Sequence, residues 1–297
     1  MKRMLFVMNP CAGTRRAGRY LADLLGLFNR AGIETLVHIT SEAGEATGVV
    51  KARAKDVDVV VCCGGDGTFN ETIAGLLESG ADVPVGYIPA GSTNDFAAGL
   101  GLSSDIMEAA EDILRGEPVA YDMGRFGSRY FSYVASFGAF TRTSYSTPQS
   151  IKNALGHTAY LLAGIPEISQ IHKEHVRMEL DGKVVEDDFL FGAISNATSV
   201  GGVLSLDPAR VDLRDGKLEV LLVRAPADLM EISDCLRAVQ SQKYECDMIT
   251  FRSASRIWVY ADPAMPWTLD GEREEGHACV DVENIHRAVR IIQRRKK

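Results

Sequence analysis

The sequence predicts an α/β protein in two parts: a doubly wound parallel α/β half, then a half rich in antiparallel strands. Three observations predict this. Up to about residue 120, short continuous apolar runs alternate with stretches of helical periodicity, the pattern of strands covered on both faces. Beyond Tyr121 the runs alternate apolar with polar residues and are punctuated by Asp-Gly pairs, the pattern of antiparallel strands joined by tight turns. The 297 residues, 46% of them hydrophobic and 24% charged, suffice for two packed domains and exclude a chain that is disordered throughout.

In the first half, strands are expected at 4–8, 35–39, 57–63 and 83–88, and helices at 16–31, 42–54 and 69–77. In the second half, strands are expected at 176–180, 189–194 and 218–223, and helices at 152–165 and 229–242. Asp181-Gly182, Asp215-Gly216 and Asp270-Gly271 read as hairpin-type turn pairs. The expected boundaries are a first domain at 1–124, to which 286–297 returns, and a second domain at 125–285.

The balance of charge is acidic: 32 Lys+Arg against 40 Asp+Glu, a formal net charge of −8. That argues against broad binding to a nucleic-acid backbone. The apolar run at the start stops at Asn9-Pro10, too soon for a signal segment, and no run reaches the ~20 residues a bilayer crossing needs. The six cysteines form no C-x-x-C pair and are too sparse for a disulfide scaffold, so a reduced, cytoplasmic protein is expected. Cys62 and Cys63 read as small core residues of a strand.

Three loops at strand ends concentrate the chemistry: Asn9-Pro10-Cys11-Ala12-Gly13, Gly64-Gly65-Asp66-Gly67-Thr68 and Pro89-Ala90-Gly91-Ser92-Thr93-Asn94-Asp95. The last two open helices, where free N–H groups and the helix dipole favour phosphate, and glycine admits a ligand close to the backbone. One such loop alone reads as a capped strand-to-helix turn. Three at the carboxyl ends of one sheet's strands favour a nucleotide phosphate site. Neither G-x-x-x-x-G-K-[ST] nor G-x-G-x-x-G is present, so the P-loop and the dinucleotide fingerprint are excluded.

These loops, with Asn70-Glu71 and Asn94-Asp95-Phe96-Ala97, resemble the diacylglycerol-kinase catalytic domain family, which includes bacterial lipid kinases, sphingosine kinases and ceramide kinases. The resemblance continues in order through Leu155-Gly156, Ala159-Tyr160, Asn196, Gly201-Gly202, Pro208-Ala209, Asp215-Gly216, Leu218 and Leu269-Asp270-Gly271-Glu272. The Gly64–Thr68 run is shared with NAD kinases and related to the phosphofructokinase loop; Asn94-Asp95 and Asp270-Gly271-Glu272 separate the lipid kinases from those. The resemblance implies an NAD-kinase/phosphofructokinase-like nucleotide domain, a β-sandwich-like second domain, and transfer of the ATP γ-phosphoryl group, with Mg²⁺, to a hydroxyl of a membrane lipid such as diacylglycerol.

Carried over position by position, it implies that Asn9, Gly13, Thr40, Gly64, Gly65, Asp66, Gly67, Thr68, Asn70 and Ser92 bind ATP. Asp66 holds the catalytic magnesium, Asp95 supports acceptor or metal placement, and Glu272 takes the acceptor proton with Asp270 beside it. A structural magnesium falls on Asp212, Asp215 and Lys217. Two departures stand out: Thr14 occupies the place of a common basic residue, with Arg15 and Arg16 following, and Ser92 keeps a hydroxyl where threonine is common. The chemistry agrees, since phosphoryl transfer asks mainly for positioning and neutralised charge, and an alcohol acceptor needs a carboxylate within reach of its proton. Glu272 is expected to project from the second domain across a cleft.

Other residues carry less. His172 and His175 read as a solvated segment rather than a metal pair, and Asp187-Asp188 as the charged start of a strand. Asp122 reads either as a family position near the cleft or as a solvated turn acid. The apolar helix at 152–165 is ordinary core or the lining of an acyl groove, and the basic residues 294–297 are a solvated end or an anchor to anionic membrane. The partners expected are a lipid substrate at the inner membrane surface, with the protein peripheral there, and no nucleic acid; homodimerisation is left open. The rival readings are an NAD kinase-like phosphotransferase and a non-catalytic lipid-binding protein of the same fold.

Overall fold

A computed structural model describes residues 2–15, 17–138, 172–197, 199–200, 204–205, 211–240 and 246–294. The chain divides into two compact units, Met1–Met123 with His286–Lys297, and Gly124–Ile285.

The first unit is built on four parallel strands, β1 (Lys2–Met8), β2 (Ile33–Ile39), β3 (Val59–Gly64) and β4 (Val85–Pro89), in the order β4-β3-β1-β2. Met4 to Met8 are all at most 1% exposed, so both faces of β1 are covered, as its uninterrupted apolar run requires. Met4, Phe6 and Met8 join Val59, Val61, Cys63 and Ile88 in one core layer. On that layer sit α1 (Leu21–Arg30), through Leu24 and Phe28, and α5 (Ile106–Arg115), through Ile106, Ala109, Ala110 and Ile113. β2 is the edge strand and leaves Leu36 and Ile39 exposed.

Between them come α2 (Glu45–Arg53), α3 (Asp66–Ser79) and α4 (Asp95–Leu100). The helix expected at 16–31 begins at Leu21; residues 17–20 form a tighter 3-10 turn, and Arg16 lies outside the described residues. The helix expected at 69–77 begins three residues earlier, at Asp66, and stops at Gly80, which takes φ +65. Helix α5 was not anticipated, although Asp105 caps it by accepting the N–H groups of Met107 and Glu108, each at 2.9 Å.

β5 (Glu117–Phe126) carries the chain into the second unit. Antiparallel strands follow: β6 (Arg129–Phe131), β7 (Val134–Gly138), β8 (Glu174–Leu180), β9 (Lys183–Ser195), the two-residue β10 (Ser199–Val200) and β11 (Leu204–Ser205), β12 (Leu218–Arg224), β13 (Ile249–Ala254), β14 (Arg256–Ala261), β15 (Trp267–Leu269) and β16 (Glu272–Glu274). Helix α6 (Leu229–Gln240) lies between β12 and β13. β17 (Cys279–Gln293) pairs with β14 early in its course and, after returning to the first unit, places Ile291 parallel to Val85 of β4. The thirteen-residue β9 pairs with β8 along its first half and with both β7 and β12 along its second. The core of this unit gathers Phe126, Phe131 and Phe137 about Trp267, whose ring lies 4.8 Å from that of Phe126 and 4.9 Å from that of Phe137.

Asp181-Gly182 and Asp270-Gly271 close two-residue hairpins, with Leu180 opposite Lys183 and Leu269 opposite Glu272, and all four turn residues have positive φ. Asp215-Gly216 differs. Only Gly216 is left-handed, and the pair ends a turn before β12 rather than joining paired strands. The helix expected at 152–165, the pairs Leu155-Gly156, Ala159-Tyr160, Gly201-Gly202 and Pro208-Ala209, and residues 241–242 and 295–297 lie outside the described residues. Among the described residues no helix is long and apolar enough to cross a membrane.

Glycine has a clear packing role at Gly75, where a Cβ would fall on the Thr47 backbone carbonyl of the adjoining α2. Gly75→Ala is therefore expected to destabilise the protein by about 1–3 kcal/mol, although alanine is the better helix former. Urea unfolding of the variant beside the parent checks this.

Candidate active site

At the carboxyl ends of β1, β3 and β4, three loops meet backbone to backbone. A Cβ on Gly91 would stand 2.6 Å from the Cα of Gly65, and one on Gly13 2.6 Å from the carbonyl oxygen of Ala90. Hydrogen bonds tie the same loops: Ala90 N–H to the Gly64 carbonyl at 2.7 Å, Asn9 N–H to the Cys63 carbonyl at 2.9 Å, and the Asn9 amide NH₂ to Thr68 Oγ1 at 3.0 Å. Asn9 Oδ1 also accepts the Cys11 N–H, which turns the first loop. Gly65 precedes α3 without any side-chain cap, so the first-turn amides of this fourteen-residue helix face the loops uncapped.

Thr40 is buried at the end of β2, its N–H bonded to the Met8 carbonyl, and Asn70 is buried on α3. Ser92 is exposed, in a loop that Asn94 closes. Its amide side chain accepts the Gly91 N–H at 2.9 Å and donates to the Gly91 carbonyl at 3.0 Å, while its own φ is +53. Asn94 therefore shapes the third loop, and the signal for it was available, since asparagine is among the few side chains that settle readily in the left-handed region. Glu71 faces away from this chemistry: its carboxylate accepts the Gly44 and Ala46 N–H groups at the start of α2.

Asp66 is a partly buried carboxylate of the cluster. Its two oxygens accept the N–H groups of Asp95 (3.1 Å) and Phe96 (3.3 Å), so it caps the short helix α4 from a different loop. Burial raises its pKa from 3.8 to about 6; the amide bonds from Asp95 and Phe96 oppose that rise and the nearby Asp95 charge adds to it. A carboxylate offers about four acceptor positions, so the amides of Asn94, Asp95 and Phe96 do not fill it. The donor type thus fits magnesium, although no cluster of three or more His, Cys, Asp or Glu side chains forms a metal site among the described residues.

In the second unit the Asp270 carboxylate is buried and accepts three consecutive backbone amides: Ser132 at 2.5 Å, Tyr133 at 3.0 Å and Val134 at 2.9 Å. It clamps the β15–β16 hairpin to the segment between β6 and β7. Glu272, two residues on, is exposed and lies 3.1 Å from the Arg129 guanidinium, whose other nitrogen is 2.6 Å from Glu274. Nothing in the order of residues announced Arg129, since it lies 143 positions from Glu272.

The turn at 212–217 is closed by its own groups. Asp212 Oδ1 accepts the Arg214 N–H, Asp215 Oδ1 accepts the Lys217 N–H, and the Lys217 carbonyl accepts from Asn284 Nδ2. The Arg214 guanidinium stands 3.6 Å from Asp212, so a cation here would compete with it.

His172 and His175 pair with Glu174 and Asp188, and Asp188 also meets Lys173. Asp122 is no solvated acid. It is fully buried in β5, where it accepts the Arg287 N–H at 2.6 Å and pairs with His286 at 3.0 Å. The six cysteines are free, with Cys62 and Cys63 wholly buried.

With this geometry in hand, comparison with known proteins assigns the class. Residues 3–126 match the diacylglycerol kinase catalytic domain, and residues 134–293 match the YegS C-terminal NAD kinase beta sandwich-like domain. The protein is a lipid kinase by class. The chain belongs to the diacylglycerol kinase family: it is 32% identical over 300 residues to a diacylglycerol kinase of Bacillus subtilis (strain 168), covering 100% of this chain and 98% of that one. A diacylglycerol kinase of Staphylococcus carnosus (strain TM300) is 32% identical over 274 residues, covering 91% of this chain and 89% of that one. The fold is that of a crystal structure of a diacylglycerol kinase from Bacillus anthracis str. Sterne, with a TM-score of 0.73, 22% identity, and coverage of 98% of this chain and 97% of that one.

The Asp66 shift fixes a sign for pH dependence. Its folded pKa lies above the ordinary 3.8, so between about pH 4 and pH 6 the folded chain binds the proton more tightly than the unfolded one. The contribution of this group to stability is therefore full below about pH 4 and is lost as pH rises through 6. Going from pH 7 to pH 4, the thermal midpoint of the parent should gain on that of Asp66→Asn; parallel curves would contradict the assignment.

Proposed function

We propose that this lipid kinase transfers the γ-phosphoryl group of ATP, with magnesium, to the hydroxyl of a membrane lipid, and that diacylglycerol is the acceptor to test first. The observation that carries the nucleotide part is the convergence of three strand-end loops, with glycine backbones in contact, at an uncapped helix start. Amides of Gly67 and Thr68, the Thr68 hydroxyl, and Asn9 and Ser92 are suited to phosphate oxygens, with Gly13, Gly64 and Gly65 allowing close approach and the buried Thr40 and Asn70 proposed beside them for ATP. Asp66 and Asp95 would hold magnesium or its water. When bound, that ion neutralises charge on the phosphates. A second magnesium on Asp212, Asp215 and the Lys217 carbonyl would take over acceptor positions that the turn now fills itself.

Glu272 is the proposed general base, because it is an accessible carboxylate on a hairpin whose position Asp270 fixes from within the core. Asp270 itself, with three amides on its oxygens, serves to place Glu272 rather than to exchange protons. That the Bacillus subtilis relative is named a diacylglycerol kinase supports diacylglycerol as acceptor.

Purified protein given ATP, Mg²⁺ and diacylglycerol in mixed micelles is expected to form phosphatidic acid, and NAD in place of lipid is expected to give no product. Glu272→Ala should lower kcat by about 100-fold or more, in the range that positioned acid–base groups supply. Gly91→Ala should instead raise the KM for ATP by forcing the Gly65 loop aside. Product from NAD alone would overturn the acceptor class, and an unchanged kcat in Glu272→Ala would remove the base.

A further inference from the structure

Glu272 does not stand alone on its hairpin. Strand alternation places Glu272 and Glu274 on one face of β16, and both carboxylates reach the same guanidinium. The Arg129 side chain is forked between them, with Nη1 2.6 Å from Glu274 Oε2 and Nη2 3.1 Å from Glu272 Oε2. The contacts are unequal in setting. Glu274 is 15% exposed and also lies 3.7 Å from His277, whereas Glu272 is 48% exposed. The shorter, more enclosed contact anchors the guanidinium, and the longer one leaves Glu272 its other oxygen.

Arg129 is itself held at its base. It opens β6, opposite Phe126 of β5 in a hairpin that turns through Gly127 at φ +55, and the three amides just beyond β6 are those clamped by Asp270. The same carboxylate therefore fixes the backbone on both sides of the Arg129–Glu272 contact. Partly exposed ion pairs contribute little to stability, so the fork is better explained by the geometry it imposes than by the stability it adds. A guanidinium suits that task because its donors are rigidly coplanar.

We infer that Arg129 is a positioning residue: anchored by Glu274 through one nitrogen, it holds the Glu272 carboxylate in a single orientation through the other. The inference rests on the reading of Glu272 as general base. Arg129 would touch neither substrate nor nucleotide, and would act by restricting the rotamers of a side chain that is otherwise free in solvent.

Steady-state kinetics of the full chain with ATP and diacylglycerol micelles test this. Arg129→Met should lower kcat by about 10- to 100-fold, the scale set by ångström-size misplacement of a reacting group, with KM for ATP within about twofold of the parent. Arg129→Lys should restore part of the loss, because an ammonium can reach one carboxylate without bridging both. Glu274→Gln, which loosens only the anchor, should give a smaller fall in kcat. In a Glu272→Gln background, Arg129→Met should cost nothing further. Parent-like kcat in Arg129→Met would overturn the inference, as would losses that multiply in the double variant. Should Arg129→Met fail to fold by urea titration, Arg129→Lys and Glu274→Gln decide the matter, and parent-like kcat in both would overturn it. Failure of the base reading shows separately, as parent-like turnover in Glu272→Gln alone.

Discussion

The contact between the backbones of Gly65 and Gly91 is the constraint from which the loop cluster of the first unit follows. The two loops leave different strands and touch here because Gly91 carries no Cβ, which would stand 2.6 Å from the Gly65 Cα, and Gly13 brings the first loop against the same place. Once they touch, the remaining geometry has little freedom. Asn9 reaches Thr68, Ala90 bonds to Gly64, and Asp66 is carried within reach of the first amides of α4. A single methyl at the contact would displace backbone rather than a flexible side chain, and backbone has no rotamer with which to yield.

The two units solve one problem in the same way. Each uses a carboxylate set into the structure to gather amides from a distant segment: Asp66 takes those of Asp95 and Phe96, and Asp270 takes those of Ser132, Tyr133 and Val134. Charge-assisted bonds to backbone are short and directional, so a carboxylate used in this way fixes a loop more firmly than an apolar contact would. The consequences differ. Asp270 takes three backbone donors and lies in the core, which suits a fixed support. Asp66 is only partly buried, and its pKa is raised to about 6, chiefly by that burial.

Much of this architecture was legible in the residues because burial on two faces leaves a plain mark. The runs at β1 and β3 are unbroken apolar sequence, and the turns at Asp181-Gly182 and Asp270-Gly271 carry the residue types that left-handed backbone demands. The start of α1 was not legible, since one turn of 3-10 helix at 17–20 presents nearly the same periodicity as one turn of α-helix. The loops of the site were visible as glycine next to Asp, Ser or Thr. The duties of individual side chains within them were not. Asp66 meets Asp95 and Phe96 across about thirty residues, Asp122 meets Arg287 across 165, and Arg129 meets Glu272 across 143; such meetings are made by packing and leave no local pattern.

The order of the strands along the chain also has a bearing on how the protein is made. The first unit is discontinuous, because β17, whose Ile291 lies beside Val85 of β4, follows the whole second unit in the order of synthesis. Until then β4 presents an open, apolar edge, the kind of surface that recruits unwanted strands from other chains. The sheet of the first unit can be finished only after the whole intervening unit has been synthesised. That ties completion of the first unit's sheet to translation of β17, and leaves β4 as an edge to be protected until then.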